Sequence, residues 1–419
     1  MDLKGKKVTV IGAAKSGIAA AQLVLEAGGV ARITDARPLG DIERALAGLR
    51  GRGAVTVEAG GHTAAFIQDS HLVVASPGVW KDAPPLGWAR DKGIPVMGEI
   101  EFAWRFCRKP VIAVTGSNGK TTTATLIARV LEAAGRSACL CGNVGVPFSQ
   151  VVLSVPADYF VVEISSFQLE LIETFRPHMA VLLNFSQNHL DRHPDMQDYF
   201  NAKKRIFMNQ TSADHALLNA DAPLVYSLAA TIPSRVSFFR HAGTANPNFL
   251  AVLEVARILG IPGGVAEQVC AAFPGVEHRM EKVAVLDGVE YINDSKSTTV
   301  EAARWALERM QRPTVMIAGG SDKCLDYAPL RELMRRKVSA LVVIGVIKDQ
   351  LRETFGDIVP VEVVGGGLEE AVACARRLAV AGGSVLFSPM TASFDMFDNF
   401  EHRGKVFKQI VNRLGDSHA

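Results

Sequence analysis

Cysteine, charge of either sign in excess and long apolar runs are all scarce in this chain of 419 residues. The six cysteines are scattered. The nearest pair, Cys139 and Cys141, fits neither the usual zinc spacing nor a disulfide framework. They are expected to be buried apolar residues in a reducing compartment. A formal net charge of +2 with interspersed signs leaves no basic stripe for a nucleic-acid partner. Apolar runs such as "ALVVIGVI" from Ala340 fall well short of a membrane span. The start, "MDLKGKKVTVIG", enters a strand without a signal-peptide pattern. Neither nucleic-acid binding nor membrane insertion is expected; a cytoplasmic monomer is. No internal repeat or low-complexity tract stands out.

What the chain does have is β-branched runs that end in glycine-rich turns: "KVTVIGAAKSG", "HLVVASPG", "PVIAVTGSNG", "YFVVEISS", "MAVLLNFS", "TVMIAGGSD", "ALVVIG" and "GSVLFSPM". Near-continuous Val/Ile runs suit strands buried on both faces, and their alternation with helical segments predicts parallel sheets. The class is α/β. A chain this long needs more than one core. Composition breaks divide it into an N-terminal Rossmann-like domain (1–98), a central P-loop ATPase-like domain (99–277) and a C-terminal Rossmann-like domain (278–419), the last opening on a hairpin around Asp287 and Gly288. Hinge motion is expected near Glu99 and Glu277.

In "VIAVTGSNGKTTTATLI", Val111 to Ile127, a strand ending near Val114 is followed by Gly116, Ser117, Asn118 and Gly119. The glycines let backbone N–H groups approach an anion, Lys120 adds positive charge, Thr121 offers a hydroxyl to Mg²⁺, and a helix from about Thr122 aims its positive end at phosphates. An ordinary glycine turn would also join strand to helix, but this order of residues rarely arises without a triphosphate to hold. Phosphoryl transfer to an anionic acceptor needs carboxylate ligands for Mg²⁺ nearby. Glu163, ending "YFVVE", is the candidate; a helix-capping carboxylate is the alternative. His189, after "MAVLLN", is on its own more often a structural group than a ligand, and Lys203 in "YFNAKKRIF" reads as a surface lysine. Toward the N-terminus, "VTVIGAAKSGIAA" and Asp35 lie at the spacing of a dinucleotide fold. That raises an oxidoreductase, although Ala14 replaces the middle glycine and the motif alone is weak.

The wording "TGSNGKT" resembles the loop of the Mur ligase family, the ATP-dependent amide ligases of peptidoglycan assembly, with which folylpolyglutamate synthase groups. "VVEISSFQLE", "LLNFSQNHLDRH", "NDSKSTT" and "SPMTASFDMFDNFEHRG" extend the resemblance over nearly the whole chain. It implies a ligase acting on UDP-N-acetylmuramoyl-L-alanine with D-glutamate and ATP, two Mg²⁺ ions, and a carbamate on Lys203. Thr121, Glu163, His189 and the carbamylated Lys203 would hold metal. Asn248, Arg279, Asp294 and Lys296 would join the loop around ATP. Asp35, Arg37, Ser76, Gly78, Asn143, Ser165, Gln168 and His189 would meet the UDP-sugar, and Thr298, Lys323, Ser393 and Phe400 the D-glutamate. Without the resemblance, Arg279, Asp294 and Lys296 read as solvated hairpin residues, Ser393 as a cap and Phe400 as core. The alternatives are another amino acid or a folate acceptor, or a nucleotide-binding protein without turnover. Two features depart from the family pattern: Asn188 stands where aspartate is usual, and only about thirty residues run from the start of "LLNADAP" to the start of "NPNFLAVLEVARILGIP". Thr244 and Ala245 occupy the places of an expected His-Asn pair, with Asn248 retained.

Overall fold

The computed structural model describes residues 1–49, 51–189, 192–240, 246–273, 275–311 and 313–416. The chain divides into two compact units, Met1–Phe185 with Met196–Phe273, and Ser186–Asp195 with Pro274–Ala419.

The first unit carries two sheets. One is built from β1 (Lys7–Ile11), β2 (Val30–Asp35), β3 (Val55–Ala59), β4 (Leu72–Ala75) and β5 (Val96–Gly98) in the order β3-β2-β1-β4-β5, all parallel. The other contains β6 (Val111–Thr115), β7 (Ala138–Gly142), β8 (Tyr159–Glu163), β9 (Met179–Leu182), β10 (His215–Asn219) and β11 (Arg235–Phe239) in the order β11-β10-β9-β6-β8-β7, also parallel. Every residue of β4, β6 and β9 is buried, as expected of strands covered on both faces. The short passage after β10 still completes a crossover: the helix Pro223–Ser227 leads into β11, which pairs with β10. Thr244 and Ala245 lie outside the described residues. One apolar cluster joins the two sheets, running from Val8 and Ile33 through Phe148 and Phe160 to Leu182. Glu99, where the first hinge is expected, is buried and accepts a hydrogen bond from Ser149 N at 2.7 Å.

The second unit holds β12 (Glu281–Leu286), β13 (Val289–Asn293), β14 (Thr314–Gly319), β15 (Val338–Ile344), β16 (Val361–Val363) and β17 (Ser384–Phe387), ordered β12-β13-β17-β14-β15-β16. Among the described residues, only the β12–β13 pair of this sheet is antiparallel. It turns through Asp287 and Gly288, both at positive φ (52° and 76°), the conformation a two-residue hairpin needs. All eight runs singled out in the sequence form strands.

The cysteines need a correction. All six are free, but Cys107 and Cys139 are only partly buried and Cys324 is exposed. Cys324 lies in the loop beyond β14, where the chain has already left the sheet. Among the described residues, no helix is long and apolar enough to cross a membrane.

Candidate active site

The nucleotide-type loop leaves β6 at Thr115 and enters the helix Lys120–Ala133, two residues earlier than the sequence suggested. Gly116 and Gly119 sit at φ 156° and 83°, and a Cβ on Gly119 would lie 2.2 Å from Asn248 Oδ1. Glycine is required there by contact as well as by conformation. The helix is preceded by Gly119, which has no side chain to cap it, so its N-terminal N–H groups suit an anion. Lys120 Nζ folds over the loop, donating to Gly116 O at 2.9 Å and Ser117 O at 3.1 Å.

Parallel pairing of β6 with β8 brings Val114 opposite Glu163, which fixes the next layer. Glu163 is 2 % exposed; its Oε2 accepts from Thr121 Oγ1 at 2.7 Å and its Oε1 from Asn143 Nδ2 at 2.7 Å. It therefore bonds the loop threonine instead of capping a helix. Asn143, expected at the UDP-sugar, is tied to Glu163 twice, by its side chain to the carboxylate and by its N–H, which donates to the main-chain Glu163 O at 2.8 Å.

Lys203 is no surface lysine. It is 1 % exposed and donates from Nζ to Gly116 O at 2.9 Å. Burial drives its pKa well below the ordinary lysine value, the charge of Lys120 pushes the same way and that of Glu163 opposes. Its Nζ also lies 4.7 Å from the centre of the Tyr199 ring, and Tyr199 OH is 3.1 Å from Ser117 Oγ. Tyr199 was not anticipated, although its place four residues before Lys203 on the helix Met196–Lys204 puts both on one face.

In the β1–β5 sheet, Asp35 ends β2 and accepts from Ala13 N at 2.6 Å and from Arg37 Nε and Nη2 at 3.0 and 2.8 Å. Burial alone would raise the Asp35 pKa, but these bonds and the Arg37 charge outweigh it and lower the pKa to about 2. Ser76 lies beneath the glycine loop, donating to Gly12 O at 3.2 Å, and Gly78 is exposed two residues on. Ser165 and Gln168 form a capping box for the helix Ser166–Leu169, a structural duty that the S-x-x-Q spacing announces. Asn248 lies against Gly119, and its N–H is held by Asn246 Oδ1 at 3.0 Å.

In the second unit, Asp294 is buried just past β13, accepting from Met280 N at 3.1 Å and Ser388 Oγ at 2.9 Å. Lys296 Nζ sits 4.4 Å over the Phe400 ring, so a residue expected at ATP touches one expected at D-glutamate. Phe400 is half-buried at the start of the helix Phe400–Asp416, not a core residue. Thr298 precedes Thr299, whose Oγ1 caps the helix Val300–Arg309. Lys323 is buried in the loop after β14, and Ser393 is buried with its carbonyl accepting from Phe397 N at 2.9 Å. Arg279 is partly buried beside Asp294 and pulls its pKa down. His189 adopts a positive φ of 57° and accepts at its carbonyl from His193 N at 2.8 Å, while its own N–H donates to the buried Asn188 Oδ1 at 2.9 Å.

The residue most clearly missed is Arg403, fully buried in the "FEHRG" stretch. It donates to Ser295 Oγ (3.1 Å), Ser295 O (2.8 Å), Thr391 O (3.2 Å) and Ala392 O (3.2 Å).

Burial raises the Asp294 pKa from 3.8 to about 6, against the Arg279 charge and its hydrogen bonds. The folded carboxyl thus keeps a proton that the unfolded one releases. Its contribution to stability is full below about pH 4 and is lost as the pH rises through about 6. Asp294→Asn is expected to be more stable than the wild type at neutral pH, with the gap closing toward pH 4. Urea midpoints across that range check this; a gap independent of pH would refute it.

A family model described as "Mur ligase middle domain" matches residues 114–258, and one described as "Mur ligase MurD-like, N-terminal domain" matches residues 6–98. The chain is 39% identical to the UDP-N-acetylmuramoylalanine–D-glutamate ligase of Geotalea uraniireducens over 454 aligned positions, covering 99% of each protein. It is 40% identical to the enzyme of that name from Pelotomaculum thermopropionicum over 458, again covering 99% of each. Both alignments are longer than the 419 residues present here, so these relatives carry residues without a counterpart in this chain. Among solved structures, a pseudomurein peptide ligase type C from Methanothermus fervidus superposes with a TM-score of 0.60 at 18% identity, covering 98% of this chain and 100% of that one. MurF ligase from Thermotoga maritima in complex with ADP gives 0.59 at 17% identity, covering 84% and 92%. At that identity, these structures speak for the fold.

Proposed function

This chain belongs to the Mur ligase family, and on that footing we propose that it is an ATP-dependent ligase joining D-glutamate to UDP-N-acetylmuramoyl-L-alanine, in the assembly of peptidoglycan precursors in the cytoplasm. Identity of 39% across 99% of a relative named for this reaction supports the substrate pair. The observation that carries the chemistry is the buried contact between Thr121 and Glu163 at the foot of the nucleotide loop.

Two oxygen donors already in contact, one a carboxylate screened from water, fit a Mg²⁺ ion. Mg²⁺, when bound, neutralises charge on the phosphates of ATP. The chain does the rest. Residues 116–122 cradle the triphosphate, and Lys120 draws the γ-phosphoryl group toward the substrate carboxylate. That carboxylate displaces ADP to form an acyl phosphate. The amine of D-glutamate then attacks the acyl carbon, phosphate leaves, and the amide remains.

The burial of Lys203 supports a carbamate on its Nζ, because only an uncharged amine can take up CO₂ and its lowered pKa favours that form. The anion so made would face the positive charge of Lys120. His189 would add a nitrogen ligand to a second ion. Asp35, Arg37, Ser76, Gly78, Asn143, Ser165 and Gln168 would receive the UDP-sugar; Asn248, Arg279, Asp294 and Lys296 the nucleotide; Thr298, Lys323, Ser393 and Phe400 the D-glutamate. The three sheets would be the cores of three domains, 1–98, 99–277 and 278–419, of a monomeric enzyme.

The test is phosphate release by the purified protein with ATP and Mg²⁺. Release is expected only when UDP-N-acetylmuramoyl-L-alanine and D-glutamate are both present. Equal release with another amino acid, or none with this pair, would overturn the reading.

A further inference from the structure

We propose that Asn184 is a positioning residue for ATP, a clamp that sets the shape of the nucleotide loop before the nucleotide arrives. The inference rests on the reading of residues 116–122 as the triphosphate cradle. Asn184 follows β9 by two residues, and β9 lies directly beside β6 with Leu182 opposite Thr115. Sheet register alone therefore delivers Asn184 to the flank of the loop.

There it makes a two-way amide pair. Its Oδ1 accepts from Asn118 N at 2.8 Å, and its Nδ2 donates to Asn118 O at 3.0 Å. Its own carbonyl accepts from Ser117 N at 3.2 Å. Two successive loop residues are thus bonded to one asparagine, as though the strand continued for another step. A primary amide one methylene from the backbone matches both the donor and the acceptor of a peptide group. Aspartate keeps the acceptor but has no donor for Asn118 O, and alanine keeps neither.

Neighbouring contacts show why a clamp belongs at this point. A Cβ on Gly116 would stand 3.1 Å from Leu183 Cβ and 3.4 Å from Asn184 N, so the loop begins pressed against the same strand end. Asn248 closes on Gly119 from elsewhere in the unit. The base of the clamp is itself held, because Asn219 Nδ2 donates to Leu183 O at 2.9 Å. Glycine-rich segments lose more freedom on ordering than any other. A loop fixed beforehand relieves nucleotide binding of that cost.

The test uses the full-length enzyme with Asn184→Ala and Asn184→Asp, measuring kcat, KM for all three substrates, and calorimetric binding of ADP and AMP. In Asn184→Ala, KM for ATP and Kd for ADP are expected to rise about tenfold, the effect of losing one to two hydrogen bonds. KM for UDP-N-acetylmuramoyl-L-alanine and for D-glutamate should stay at the wild-type value. AMP, which lacks the β- and γ-phosphates, should show a much smaller difference between the two proteins than ADP does. Asn184→Asp keeps one acceptor but sets a carboxylate against Asn118 O and beside the phosphates, so it should weaken ATP and ADP at least as much as alanine does. An unchanged KM for ATP overturns the proposal, and so does a rise in all three KM values together with a lower Tm, since that is what scaffold damage alone would give. A wild type without ligase turnover defeats the functional reading instead, and the ADP comparison then still decides whether Asn184 acts as a clamp.

Discussion

Lys120→Ala is expected to lower phosphate release by about 10³-fold, the scale for removing a cation aimed at a transferring phosphoryl group. Binding of UDP-N-acetylmuramoyl-L-alanine to the same variant should not change. Two features of the site set the size of this effect. The ammonium is held against Gly116 O and Ser117 O, so alanine removes a brace of the loop together with the charge. The neighbouring Lys203 Nζ is buried against Gly116 O, where burial disfavours its positive charge, so it is a poor replacement for the lost cation. Lys120→Arg should recover little, because a planar fork does not occupy the place of a compact ammonium. Single-turnover phosphate release and calorimetric titration of the UDP-sugar check the separation. Equal loss of turnover and UDP-sugar binding would mark Lys120 as a support of the fold, and undiminished turnover would remove it from the chemistry.

Arg403→Met is expected to destabilise the second unit by about 3–5 kcal/mol, because several buried acceptors lose their donor at once. Burial presses the guanidinium pKa down to about 9, against the pull of Asp395 and Asp294, so the group stays charged at neutral pH. Its four bonds join the stretch after β13, through Ser295, to the stretch after β17, through Thr391 and Ala392. The second stretch is fastened in turn to the loop after β14: Ser321 N donates to Ala392 O at 3.0 Å, and Asp395 N to Ser321 Oγ at 2.9 Å. Ligand residues of an open α/β sheet sit at these strand ends. Loss of stability should therefore come with a higher KM for D-glutamate. Arg403→Lys, with its charge but without the fork, should recover only part of both. Hydrogen exchange of the β13, β14 and β17 amides reads the stability directly, and wild-type protection in Arg403→Met would refute the assignment.

How much of this was legible in the sequence follows from which signals are local. A strand covered on both faces must be apolar along its length, so the eight runs announced themselves, as did the hairpin at Asp287 and Gly288. A phosphate loop needs glycines, a lysine and a hydroxyl within a few residues, so its chemistry is written contiguously. The capping box of Ser165 and Gln168 is equally local, and there the resemblance drew attention to the UDP-sugar instead. Sequence alone thus determined the α/β class, the nucleotide loop and, through the motifs, the family. What only the tertiary structure decided depends on which strands lie side by side. The order β9-β6-β8 brings Asn184 and Glu163 to opposite flanks of one loop. Packing of a helix against that loop turns Lys203 from a solvated cation into a buried amine. Closure of three strand ends in the second unit makes Arg403 a cross-brace. Burial and partnership belong to pairs of segments far apart in the chain, and side-chain type or local spacing carries no record of them.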